Sequence, residues 1–179
     1  MEKSNAEPQE FIVVNAGLCL LSPWLHRLFI MLDYLDDSKW NFKDEESQIR
    51  AVFLLQYIAN GEEKEYKDTG LEFVKLLIGL STNTPIPQQV ALTDKEKQTA
   101  DSLLEAVKSN WPKMQHTSAA AFRMSFIART GRLEKKEYQW ILTVDRKAFD
   151  VLLDSLPWSY RMIMRQWMKI PIEVNWHNR

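Results

Sequence analysis

The stretch "NAGLCLLSPWLHRLFIMLDYL", residues 15–35, constrains the fold more than any other part of the chain. It holds more apolar side chains than a solvated surface helix needs, so it must enter a bilayer, fill a core or meet another protein. A membrane span requires about 20 predominantly apolar residues. Here Ser22, Pro23, His26 and Arg27 interrupt the run and Asp33 follows one turn later. Charged groups at bilayer depth cost about 2.5–3.5 kcal/mol each, so no membrane span is expected. Ser22 is placed to cap a helix that starts at Pro23, where the missing N–H costs nothing. On that helix Trp24, Leu25, Leu28, Phe29 and Leu32 form a broad apolar face that Leu35 continues. A helix apolar over so much of its girth is enclosed on several sides. It is the candidate central helix of the domain, or a helix that meets another subunit.

Residues 1–10 read as a flexible leader. They are polar and lack the apolar core of a secretory signal. Residues 11–179 read as a single compact domain, a length that supports one well-buried core. A short strand is expected over "FIVVNAG" (11–17), then the Pro23 helix, a polar connection over 36–47 and a helix over about 45–60 stopped by Gly61. A charged loop (61–70), a short apolar helix (71–80) and a proline-containing connection (81–92) follow. Thr93 and Glu96 form a capping box, and Ala100, Leu103, Leu104, Val107 and Trp111 then share one helical face. A helix over about 117–130 precedes a period-2 hairpin (131–144) with a charged turn at Lys135–Glu137 and with Tyr138, Trp140 and Leu142 on one face. Asp145 is expected to cap a last helix, residues 157–169 show no clear period, and 170–176 alternate as a closing strand. The fold class is α+β, mainly α: five or six helices with a small antiparallel sheet near the C-terminal half.

No catalytic or metal signature is present. His26, His116 and His177 lack ligand partners at i+3 or i+4, and the five glycines make no phosphate loop. The single Cys19 excludes an internal disulfide and sits in an apolar run without the cationic surroundings of a nucleophile. No cofactor is implied, and an enzyme is not expected.

Net charge is −1, but it is unevenly spread: residues 1–100 sit near −6 and residues 101–179 near +5. The halves attract each other within one fold, or they support head-to-tail contact between subunits or a basic face for an acidic partner. A helix followed by a hairpin carrying Arg132, Lys135 and Lys136 has the order of a winged helix, which makes a nucleic-acid-binding or adaptor domain the alternative reading. The helix "TSAAAFRMSFIART" nevertheless offers only Arg123 and Arg129 as cations, too few for phosphate contacts to dominate, and nucleic acid is not the expected partner. "PWSYRMIMRQWMKIP" (157–171) is richer in what interfaces use. Trp158, Tyr160, Arg161, Met162, Met164, Arg165, Trp167 and Met168 form the candidate partner interface.

Several stretches match a known family in its order: "VNAGLCLLSPWLHRLF" (14–29), "RAVFLLQYIANG" (50–61), "LLIGL" (76–80), "LTDKEKQTADSLLEAVKSNWPKMQHTS" (92–118), "FIARTGRLE" (126–134), "FDVLLDSLPWSYRMI" and "WMKIPIEVNW" (149–176). The chain resembles the C-terminal region of contractile injection system tape measure proteins, found in phage-tail-like particles. The resemblance implies a non-enzymatic structural protein that works in assembly. It implies attachment inside the tube at the baseplate and spike end, with baseplate, spike or tube proteins as partners. It also implies assembly in the bacterial cytoplasm and residence in the particle afterwards; the over-apolar first helix adds a homo-oligomer as an expectation. Tape measures of this kind carry an extended region ahead of this segment. Fully helical, 179 residues would reach about 270 Å; folded into one core they have a radius of gyration of about 16 Å. The chain is therefore a fragment of a longer tape measure, or a stand-alone relative that keeps the anchoring role.

Overall fold

A computed structural model describes residues 9–67 and 70–177. Most of the expected leader, residues 1–8, lies outside the described residues, as do parts of the 61–70 loop and of the C-terminus. Glu10, assigned to that leader, begins strand β1.

The framework is a five-stranded sheet with helices on one face. Its strands are β1 (Glu10–Val13), β2 (Gly131–Lys135), β3 (Trp140–Val144), β4 (Met162–Ile163) and β5 (Ile172–Asn175), in the order β1-β2-β3-β5-β4. Period-2 alternation sorts the faces. Val13, Leu133, Trp140, Leu142, Val144, Ile163, Ile172 and Val174 are buried, while Ile12, Arg132, Glu134, Ile141, Thr143, Met162 and Glu173 turn outward. The α+β class holds, but the sheet is neither small nor purely antiparallel. β3 and β5 pair in parallel, from Trp140↔Ile172 to Thr143↔Asn175. Alternation in the sequence identifies a strand but not its direction. The connection between these two strands is long enough for a crossover, and it carries β4 back antiparallel on the far side of β5. The sheet also recruits β1 from the other end of the chain.

The helices are α1 (Leu25–Met31), α2 (Glu45–Asn60), α3 (Glu72–Ile78), α4 (Asp94–Ser109) and α5 (Ala119–Phe122). Where caps are explicit, the ends match the sequence. The Asp44 carboxylate accepts the Ser47 N–H at 2.7 Å, and Gly61 closes α2 at φ 77°. The Thr93–Glu96 capping box opens α4. The expected Pro23–Leu35 helix differs. Residues Ala16–Trp24 form a buried 3-10 run, Ser22 makes no side-chain cap, and α1 begins only at Leu25. It stops at Met31 because Asp33 adopts a left-handed φ of 57°. The run packs closely on the chain near Phe126: a Cβ on Gly17 would lie 1.6 Å from the Phe126 carbonyl oxygen, so only glycine fits there. That contact also involves the helix expected over 117–130. It is four residues of α5 followed by a π-helical turn, Arg123–Ile127, and it buries Phe122, Phe126 and Ile127. The expected strand over 11–17 likewise ends at Val13, and Tyr138 sits exposed in the hairpin turn.

Asp145 does not cap the last helix, which is a 3-10 segment, Ala148–Ser155. Asp150 does so, accepting the Lys147 N–H at 2.9 Å. The same carboxylate pairs with Arg129 at 2.6 and 2.8 Å and accepts the Trp176 indole N–H at 3.0 Å. Arg129 is fully buried, lies over the Trp176 ring at 5.0 Å and donates to the carbonyls of Ser125 and Asp145. This node ties the π turn, the last 3-10 segment and the end of β5 together.

A second carboxylate cluster joins α4 to α2. Glu96 is held by Arg50, by the Tyr34 hydroxyl and by the Thr93 N–H at 2.9 Å. Burial alone would raise its pKa; Arg50 and these donors lower it from 4.5 to about 2. Burial pushes Asp150 up as well, but Arg129 and the other donors hold it below the usual aspartate value.

Two outcomes are expected. Arg129→Met leaves the Asp150 charge buried and unpaired, and should cost about 3–5 kcal/mol in urea unfolding, against near-neutral behaviour for a surface change such as Arg132→Met. Both carboxyls have folded pKa values below their unfolded ones, so the unfolded chain binds more protons between the two. Stability is thus full above about pH 4.5 and is lost as pH falls toward 2. Glu96 should account for roughly 2–3 kcal/mol of that loss, and Glu96→Gln should flatten the acid limb in a pH series of urea melts.

Candidate partner-binding surface

The two groups of residues singled out in the sequence meet in space. The Ala16–Trp24 run and α1 form one wall, and residues 157–169 lie along it. Irregular backbone leaves carbonyls without ladder partners, and this segment supplies donors to them. Trp158 Nε1 donates to the Leu20 carbonyl at 3.0 Å, with its ring edge-on to Trp24 at 4.4 Å. Arg165 donates to the Ser22 carbonyl from Nε at 3.0 Å and from Nη2 at 2.7 Å. Trp167 Nε1 donates to the Leu77 carbonyl at 2.8 Å, and its ring stands edge-on to Phe29 and Phe42. Tyr160 donates its hydroxyl to the Trp176 carbonyl at 3.0 Å.

Burial divides the candidates. Leu25, Leu28 and Phe29 are core residues, while Trp24 and Leu32 are half-buried against it. Tyr160, Trp167 and Met168 are buried inside the chain, and Trp158 and Arg165 are half-buried. Arg161, Met162 and Met164 face solvent, the two methionines at 56% and 46% exposure. The surface this segment can offer is thus narrower than its composition suggests. α1 adds Arg27, Ile30 and Met31 on its outer side. An apolar groove of about 260 Å³ between α1 and α4 is walled by Trp24, Leu28, Met31, Leu103 and Ala106. Sequence reasoning passed over Trp40, which is exposed and stacked on His26 at 4.8 Å. Its signal was an indole inside the otherwise charged loop "DDSKWNFKDEES".

The clefts offer little chemistry. One of about 310 Å³ contains Tyr34, Arg50 and Glu96. Glu96 is already spent on the capping box and on Arg50, and burial with its hydrogen bond to Glu96 pushes the Tyr34 phenol up. Burial raises the Cys19 thiol far above its ordinary pKa. Among the described residues no group of three or more His, Cys, Asp and Glu is placed to hold a metal ion, and no helix is long and apolar enough to cross a membrane. The order of a winged helix is present, but the helix ahead of the hairpin spends its apolar face and Arg129 on the core.

Stability and surface roles separate by mutation. Trp167→Ala should cost about 3–5 kcal/mol in thermal or urea unfolding. Met162→Ser and Met164→Ser should each stay within about 0.5 kcal/mol of the parent.

The family model described as contractile injection system tape measure protein matches residues 1–176. No curated protein and no solved structure matches the chain. The chain belongs to the contractile injection system tape measure protein family.

Proposed function

We propose that this chain is an anchoring module: it holds a tape measure at the baseplate and spike end of a contractile tube and does no catalysis. Membership of the family across residues 1–176 makes it a component related to the tape measure of such a particle. The observation that carries the finer reading is the shape of the fold. The longest helices, α2 and α4, have 16 residues each and run only about 24 Å. The other described residues fold into short helices, loops and a five-stranded sheet. A body built this way grips; it does not measure. The surface formed by Arg161, Met162, Met164 and the outer side of α1 is of the type that grips protein, with methionine adapting to a partner's shape. Partners in this reading are baseplate, spike or tube proteins and further copies of the chain. The protein is made in the cytoplasm and resides in the particle.

The reading is tested by co-purification of the tagged chain with the particle's spike and baseplate proteins. Retention is expected, and Met162→Ser/Met164→Ser should weaken it at least tenfold while leaving the melting curve unchanged. A chain that folds and melts normally but binds none of those proteins, in a cell whose particles assemble without it, contradicts the reading.

A further inference from the structure

The two edges of the sheet are chemically opposite. At one end, the β1–β2 register and the Lys135 N–H bond to the Gln9 carbonyl turn the backbone of Phe11 and Val13 toward β2. In an antiparallel ladder the residue between them points its N–H and C=O the other way, so Ile12 faces outward. At the other end, the Val174 N–H bond to the Arg161 carbonyl and the β4–β5 register turn the Met162 backbone away from β5. Among the described residues neither outward-facing backbone has a partner. Their side chains are exposed as well, Ile12 at 65% and Met162 at 56%, on the same face of the sheet. β1 carries no proline, lysine or bulge, three of the devices that blunt an edge, and both edge strands are short, four and two residues.

Charge says what covers these edges. The charge on β1 is Glu10, 3.6 Å from Arg132 of β2, and the charge beside β4 is the exposed Arg161, while Arg165 turns inward to the Ser22 carbonyl. Two β1 edges, or two β4 edges, would bring like charges together. β1 against β4 brings opposite ones. Direction agrees: counted from β1, the strands run up, down, up, up and down. A second copy in the same orientation therefore lays its β1 antiparallel to β4 of the first. Ile12 then pairs with Met162 of the neighbouring copy, both backbones facing and both side chains on one face.

We propose that copies of this chain associate head to tail, β1 of one adding to β4 of the next so that the sheet continues across subunits. This deepens the self-association in the reading above and rests on it. The contact is heterologous, so it grows into a ring if the rotation closes and into an open chain if it does not.

The test is mass by sedimentation velocity on the full chain from 10 to 500 μM (a range set by how small an edge contact is). The parent should form oligomers that weaken as salt rises. Ile12→Pro removes only an outward N–H and should be monomeric; Met162→Pro should be monomeric for the same reason. An equimolar mixture of the two should give a 1:1 dimer that grows no further, because each variant keeps one intact edge. If either proline variant loses its near-UV circular dichroism, Ile12→Lys and Met162→Glu replace the pair: each places a like charge at its edge and should be monomeric alone. A parent that stays monomeric throughout the range overturns the proposal. So does an oligomer that survives Met162→Pro, which would mean a two-fold β1 contact. A monomeric parent that still binds the spike proteins defeats this proposal and leaves the anchoring reading standing. Head-to-tail oligomers that bind no particle protein do the reverse.

Discussion

The pairing of Arg129 with Asp150 holds the architecture in place. Arg129 follows the π turn, Asp150 sits in the last 3-10 segment, and the same carboxylate receives the indole N–H of Trp176 just beyond β5. With the pair buried, neither charge can be released to water, so the three pieces of chain are fixed relative to one another. That fixes β5 beside β3 in the parallel direction. β4 pairs on the other side of β5 and ends the sheet, with Met162 and Met164 exposed beside it. One buried ion pair, with the Phe149 and Trp176 rings against Arg129, thus joins the pieces of chain on either side of the last strands.

Helix ends were legible at Gly61 and at the Thr93–Glu96 box, but not at Ser22 and Asp145, which read as caps and do not cap their helices. Gly61 and the Thr93–Glu96 box set the end of α2 and the start of α4 where the pattern places them; the Asp44 cap was not singled out in the sequence. The alternation in 131–144 and 170–176 identified strands correctly. Direction and partner were not legible, because Ile172 and Val174 alternate identically in either sense. The first helix was read too long: nothing in residues 15–35 signals that the chain ahead of Pro23 packs against the Phe126 carbonyl at Gly17 as a 3-10 run. The basic, aromatic segment 157–169 was readable as unusual. Its composition could not say which indoles point inward, since Trp158 and Trp167 each combine a large apolar ring with one donor, a chemistry that serves a core and an interface equally well.

The same segment links fold to function. Trp158 and Arg165 satisfy carbonyls of the irregular N-terminal run and Trp167 the Leu77 carbonyl of α3, while Arg161, Met162 and Met164 stay exposed on either side of buried Ile163. Most ion pairs stay within one half of the chain; Arg132 with Glu10, at 3.6 Å, crosses between them.

Radical footprinting of methionine in the free chain and in assembled particles tests the central claim, that neighbouring protein covers this rim. Met162 and Met164 should oxidise readily in the free chain and become protected in the particle, while Met168, only 6% exposed, stays protected in both. Equal labelling of Met162 and Met164 in the two states would contradict the account.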